Sequence, residues 1–437
     1  MGESYKESLN AWLERIEKNH PSEIEMGLER TLSVYSTLGI ERIASQVVVV
    51  AGTNGKGSTI AALERLLLDA GKTVGVYSSP HITSYNERVR VNGVQIDDRR
   101  LVESFEKVEC ARGRTPLTYF EFGTLSAISC LESEKLDVVL LEVGLGGRLD
   151  AVNIVDADLA IITSVDIDHT EWLGDNRESI GYEKAGIFRK NTPAIYGEDN
   201  PPSSVVQQAL AKDVPLYIYQ QDFGLSRASD TPEPFNWLFQ SGVSDDNSRL
   251  EAYISNCDGG VNRIKMPRSL LPESNILTAI QAMVCLGFRV DHDRLKGLDG
   301  FSVAGRFEVY ASDPLVLLDV GHNPHAARFL SRRLADIKSQ RPVYAVFSAL
   351  SDKDVCGIVE GIDGLIDEWF IAPLSFSRAM NLSDISNALV QCGQHYTESA
   401  EIKEAFHYAV NAAKENDGIV ICFGSFHVVS DIKLLDH

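Results

Sequence analysis

Residues 51–58, Ala-Gly-Thr-Asn-Gly-Lys-Gly-Ser, follow the apolar run 47–50 and lead into a helical pattern over 59–70. A glycine-rich turn between strand and helix lets backbone N–H groups close on an anion, and the positive end of the helix adds to them. Lys56 supplies a full charge and Ser58 a hydroxyl suited to Mg²⁺, so Asn54, Gly55, Lys56, Gly57 and Ser58 are expected to cradle nucleotide phosphates. The spacing departs from G-x-x-x-x-G-K-[ST]. Only Thr53 and Asn54 separate the first glycines, and Gly57 stands between Lys56 and Ser58.

Other apolar runs also end in reactive side chains: 73–77 in Ser78-Ser79-Pro80-His81, 137–141 in Glu142, and 159–165 in Asp166-Ile167-Asp168-His169. Ligands of open parallel sheets bind beyond the carboxyl ends of strands, so these residues point to one site. Glu142 offers the hard oxygen a Mg²⁺ ion prefers, and Gly144-Leu145-Gly146-Gly147 after it permits a tight turn without completing G-x-G-x-x-G. His169 suits Zn²⁺ or Mn²⁺ better than Mg²⁺, which leaves the metal open on chemistry alone. Lys184, within Glu183-Lys184-Ala185-Gly186, reads by default as a surface lysine on a short helix. Further along, Asp319, His322 and Asn323 sit at another strand end, and Arg306 lies just upstream in Ala304-Gly305-Arg306-Phe307-Glu308.

The elements that position these groups alternate between short β-rich runs and helical patterns, which reads as parallel α/β sheets. Over 216–264 the texture turns to Tyr, Ser, Asp and Pro, a β-rich excursion; helical periodicity returns at 274–286, and 295–300 is a candidate hinge. A second α/β series follows, with strands at 315–320, 343–347, 368–371 and 418–423. Domains of 1–297 and 298–437 are expected.

The chain has 437 residues and a net charge of −21, which argues against a broad nucleic-acid or acidic-membrane surface. Its seven cysteines are scattered without C-x-x-C pairs, so neither a disulfide framework nor a thiolate metal site is expected. No stretch approaches the ~18 apolar residues of a membrane span, and no export signal is visible, so a cytoplasmic protein is expected.

Taken together, Gly52-Thr53-Asn54-Gly55-Lys56-Gly57-Ser58, Ser79-Pro80-His81 with Glu87-Arg88, Glu142 with 144–150, Asp168-His169, Glu183-Lys184-Ala185-Gly186, Gly305-Arg306-Phe307-Glu308 and Asp319 with His322-Asn323-Pro324 resemble the ATP-dependent folate ligases of the Mur ligase superfamily. The resemblance runs nearly end to end, and Gly57 is similar to the folate branch. It implies an N-terminal P-loop-type ATPase domain on a parallel sheet and a smaller C-terminal Rossmann-like α/β domain. It implies ATP and two Mg²⁺ ions, with Ser58, Ser79, Glu142 and His169 as metal ligands. Asn275, Arg306 and Asp319 match nucleotide contacts, Lys184 matches a lysine carboxylated to a carbamate, and Lys56, His169, Lys184 and His322 match catalytic positions. Gly27, Leu28, Arg30, Thr118, Tyr119, Phe120, Glu121, Arg148 and Asp150 match the pterin-side substrate site. The implied activity joins L-glutamate to dihydropteroate and to folates in a monomer, with folylpolyglutamate synthesis alone as the alternative.

Overall fold

The computed structural model describes residues 8–20, 25–226, 250–256, 258–362, 364–376 and 378–436. Much of the expected β-rich excursion, 227–249, and Cys257 lie outside the described residues. The described residues divide into two compact units, one within Met1–Leu225, Ala252–Ile264 and Pro272–Leu298, the other within Ser226–Glu251, Lys265–Leu271 and Asp299–His437. The candidate hinge, 295–300, begins at the end of helix His292–Leu295 and contains the 3-10 turn Lys296–Leu298, and the units divide within it, between Leu298 and Asp299.

The first unit is built on an 8-stranded sheet of β1 (Ala44–Ala51), β2 (Val74–Tyr77), β3 (Val89–Val91), β4 (Val94–Gln95), β5 (Leu136–Glu142), β6 (Leu159–Ile162), β7 (Ala194–Tyr196) and β8 (Leu216–Ile218), in the order β4-β3-β2-β5-β1-β6-β7-β8. Strands β2, β5, β1, β6, β7 and β8 run parallel. Val48 and Val50 at 0% exposure and Val47 and Val49 at 1–2% show why the sequence reads as an unbroken apolar run: helices cover both faces of the central strand. The sheet is nevertheless mixed, because β3 and β4 form an antiparallel edge beside β2. The expected strand 159–165 stops at Ile162, since the hydroxyls of Thr163 and Ser164 turn to the glycine loop.

Helices Leu9–Glu17, Asp98–Arg112 and Tyr119–Glu132 meet over Trp12, Phe105 and Phe122, whose ring centroids lie 5.7–6.4 Å apart. Such aromatic contacts add to the apolar area buried. Strands β9 (Gly224–Leu225), β10 (Glu251–Ser255) and β11 (Val261–Lys265) form a 3-stranded sheet ordered β11-β10-β9.

The second unit carries a 6-stranded sheet of β12 (Glu308–Ser312), β13 (Leu315–Leu318), β14 (Val343–Phe347), β15 (Glu368–Ile371), β16 (Tyr396–Glu398) and β17 (Ile419–Phe423), ordered β12-β13-β17-β14-β15-β16. β12 is antiparallel to β13, and the other pairs are parallel. Its core centres on Phe347, Trp369 and Phe423, with centroids 5.2–5.8 Å apart. Among the described residues no helix is long and apolar enough to cross a membrane, and the described cysteines are free thiols.

Candidate active site

β1 delivers the chain into the glycine loop, and Gly55, at φ 87° in the left-handed region, caps the helix Lys56–Asp69. A Cβ there would meet Asn275 Oδ1 at 2.6 Å, so Asn275 packs directly against the loop. Lys56 folds back on the loop, its ammonium donating to the carbonyls of Gly52 (3.0 Å) and Thr53 (3.4 Å). Ser58 is buried in the first helical turn.

The loop is also strapped to the segment after β6. Thr53 N–H donates to Ser164 O (2.9 Å), and Asn54 N–H donates to Ser164 Oγ (2.9 Å). Asn54 O accepts from Thr163 Oγ1 (2.6 Å) and Ser164 Oγ (3.0 Å). Thr53 Oγ1 donates to Asp166 O (3.1 Å) and accepts from Asp166 N–H (3.0 Å). Sequence reasoning missed Thr53, Thr163 and Ser164 as positioning groups; hydroxyl residues breaking an apolar strand were the available signal. They tie the phosphate loop to the stretch carrying Asp168 and His169.

Glu142 ends β5 opposite Val50 and is only 3% exposed, so its carboxylate does not sit on a solvated loop. Ser79 N–H donates to its Oε2 at 3.2 Å, placing the ends of β2 and β5 together. His169 holds the left-handed conformation at φ 52°, its N–H donating to Asp168 Oδ1 at 2.9 Å. Among the described residues no group of three or more His, Cys, Asp and Glu gathers as a metal cage. The donor types at these strand ends, a carboxylate, an imidazole and two hydroxyls, fit a hard cation that completes its shell with phosphate oxygens and water.

Lys184 overturns its default reading as a surface lysine: it is 4% exposed at the end of helix Arg177–Lys184. Arg148 N–H donates to Glu183 O at 2.8 Å, and a Cβ on Gly147 would lie 2.9 Å from Lys184 O, so the glycine turn after β5 lies directly on this helix end. Burial drives the Lys184 ammonium down to about 7; nearby Lys56 pushes the same way, while Asp168 and Asp150 oppose. Asp150 is pushed up to about 6, chiefly by burial, although the N–H groups of Leu145 (2.8 Å) and Val152 (2.9 Å) donate to it and Lys56 is near. Lys56, Asp150, Asp168 and Lys184 therefore share one electrostatic neighbourhood at the carboxyl edge of the sheet.

Among the expected pterin-side residues, Arg30, Thr118 and Glu121 are engaged with one another. Glu121 forms a capping box with Thr118, accepts from Thr31 Oγ1 (3.0 Å) and pairs with Arg30 Nε (2.8 Å). Gly27 and Leu28 lead into helix Glu29–Leu38. Half-buried Tyr119 and Phe120 open helix Tyr119–Glu132, Phe120 lying 6.2 Å from the Tyr77 ring. Arg148 pairs with Glu183 at 2.8 Å and is half-exposed.

In the second unit Asp319, just past β13, accepts the N–H groups of Phe307 (2.8 Å) and Gly321 (2.6 Å). Burial raises its carboxyl, while Arg306 pulls it down. The Arg306 guanidinium carbon lies 5.3 Å from the Phe426 ring, and the His322 ring lies 6.3 Å from the same ring. His322 Nδ1–H donates to Val320 O at 2.9 Å, which fixes its tautomer. Arg306, Asp319 and His322 thus converge within their own unit.

Two family models match the chain: the Mur ligase middle domain over residues 50–284, and the Mur ligase, glutamate ligase domain over residues 305–426. The chain is 40% identical over 425 residues to a dihydrofolate synthase/folylpolyglutamate synthase of Escherichia coli, covering 97% of this chain and 94% of that protein. Among solved structures it resembles E. coli FolC in complex with DHPP and ADP, with a TM-score of 0.88, 38% identity and coverage of 98% of each chain. A bifunctional folylpolyglutamate synthase/dihydrofolate synthase from Yersinia pestis, complexed with AMPPNP and Mn ion, is similar with a TM-score of 0.87, 39% identity and coverage of 100% of each chain.

Proposed function

The chain belongs to the Mur ligase family, and from that premise we infer an ATP-dependent ligase that joins L-glutamate to dihydropteroate and to folyl-glutamates. The observation that carries the reading is the gathering of Lys56, Asp150, Asp168 and buried Lys184 beside the Glu142–Ser79 contact at one sheet edge. Phosphate, metal and acyl chemistry need those charges in one place.

A carboxylate is a poor acyl donor because its leaving group would be oxide. Transfer of the γ-phosphoryl group from ATP to the pteroate carboxylate oxygen replaces that leaving group with phosphate, giving an acyl phosphate and ADP. The glutamate α-amine then attacks the carbonyl carbon, loses a proton and expels phosphate, forming the amide. Lys56 and the loop N–H groups hold the phosphates and offset charge as it moves between oxygens. A divalent cation, when bound, supplies further neutralisation on the phosphate oxygens; we assign Mg²⁺, as two ions, held through Ser58, Ser79, Glu142 and His169.

Burial and a pKa near 7 support assigning Lys184 as the carbamate position. The neutral amine adds CO₂ and releases one proton, giving an anionic carbamate at a position where a buried ammonium would be costly. Arg306, Asp319 and Asn275 are the proposed nucleotide contacts and His322 a catalytic position of the same reaction. The pterin side is assigned to Gly27, Leu28, Arg30, Thr118, Tyr119, Phe120, Glu121, Arg148 and Asp150. Residues 1–297 take ATP and pterin in this scheme, and 298–437 form the glutamate-ligase domain.

The test is isotopic. With dihydropteroate labelled by ¹⁸O in its carboxylate, ATP and glutamate, one label per turnover is expected in inorganic phosphate. Phosphate free of label would overturn activation through an acyl phosphate. Parallel reactions with dihydropteroate and with tetrahydrofolate decide between dual activity and folylpolyglutamate synthesis alone.

A further inference from the structure

Every arginine charge buried in a fold needs a partner, because a lone ion out of water is costly. In the first unit the largely buried Arg30 pairs with Glu121 and Arg90 with Glu64. Arg88 does not follow. It is 8% exposed, yet it forms no ion pair among the described residues. Its Nε donates to His81 Nδ1 at 2.9 Å, and its guanidinium carbon lies 5.1 Å from the Tyr85 ring and 5.6 Å from the Tyr119 ring. Those rings meet edge-on at 6.1 Å.

The adjacent carboxylate is already spent. Glu87 accepts the N–H groups of Ile82, Thr83 and Ser84, each at 2.8 Å, and so shapes the loop after Ser79 instead of neutralising Arg88. The location is also specific. Arg88 O accepts Ser78 N–H at 2.9 Å, while the next residue, Ser79, donates its N–H to Glu142. The buried cation thus lies between the aromatic residues that open helix Tyr119–Glu132 and the strand end that carries Ser79.

We propose that Arg88 binds the carboxylate of the acyl donor, dihydropteroate, in the ligase reaction inferred above. A guanidinium keeps its charge and presents five N–H groups in a planar fork that matches a carboxylate; Nε is committed to His81 and a further hydrogen bond goes to the Tyr77 side chain, which leaves terminal N–H groups for that contact. The tyrosine faces stabilise the cation before the anion arrives. Rigid aromatic walls also suit the benzoyl ring to which the carboxylate is attached. Arg88 would therefore align the carboxylate for phosphoryl transfer without itself moving a proton. The proposal rests on the ligase reading, since it takes its ligand from that reaction.

The test compares dihydropteroate with its decarboxy analogue, in which hydrogen replaces the carboxylate. Calorimetric binding to the full-length protein with AMPPNP is measured for wild type, Arg88→Gln and Arg88→Lys, after thermal melting confirms folding. Wild type is expected to favour dihydropteroate by about tenfold or more, the worth of a charged hydrogen bond. The preference should collapse in Arg88→Gln and return in part in Arg88→Lys. If the glutamine variant does not fold, the lysine variant reads the same ratio. An unchanged preference in a folded variant overturns the proposal, as does a steady-state defect confined to the KM for glutamate. Wild-type protein that binds neither pterin compound would sink the ligase reading itself, whereas binding with an undiminished preference in the variants refutes only the role of Arg88.

Discussion

Replacing Lys184 with methionine tests the electrostatics of the site through stability. Methionine roughly keeps the length and apolar stem of lysine but removes the charge. Folded Lys184 loses its proton near pH 7, against 10.5 for the ordinary side chain. Between those values the unfolded chain holds more protons than the folded one, so this group makes stability rise with pH through that window and leaves it flat below. Each pH unit is worth about 1.4 kcal/mol once the folded amine is neutral and half that at pH 7, so wild type should gain about 2 kcal/mol on Lys184→Met between pH 7 and pH 9. The assay is urea denaturation of both proteins in CO₂-free buffer, with Lys184→Met also expected to lose about 10²-fold or more in ligase turnover. A stability difference that stays flat from pH 6 to pH 9 would refute a buried, neutralised amine.

Other sites give independent outcomes. Thr53→Val removes the two bonds to Asp166 and should raise the KM for the divalent cation about tenfold, with Thr53→Ser retaining most of the wild-type value, as metal-titration kinetics would report. Gly55→Ala forces a side chain into a left-handed position against Asn275; a loss of about 1–3 kcal/mol in urea denaturation and weaker nucleotide binding are expected. Asp150 is raised to about 6 from 3.8, so the folded state holds more protons in that range and stability from this group falls as pH rises through it. Asp150→Asn should abolish that component, about 3 kcal/mol between pH 3.5 and pH 6.5, in acid denaturation curves.

The legible parts of the fold were those in which local pattern and burial coincide. The run 47–50 is buried on both faces as part of β1, and the apolar stretches of the second series became β13, β14, β15 and β17. The antiparallel edge β3–β4 was not legible, because short strands with partly polar faces resemble loops until a neighbour pairs with them. Strand ends flagged the reactive side chains, but their environments came from distant contacts. Lys184 looks like a surface residue in its own stretch but is buried, at a helix end on which the distant turn at Gly147 lies. The hydroxyls of Thr163 and Ser164 look like strand termini and act as straps because residues 53 and 54 come to them. Arg88 carries no local sign that its neighbouring carboxylate is engaged elsewhere.

The most direct check on the ligase account is the product mass after incubation with dihydropteroate, ATP, Mg²⁺ and L-glutamate. A glutamate-dependent product equal to dihydropteroate plus one glutamate less water is expected, formed with one ADP per amide, with heavier species as further glutamates add to folates. ADP released without any new pteroyl–glutamate species would contradict it.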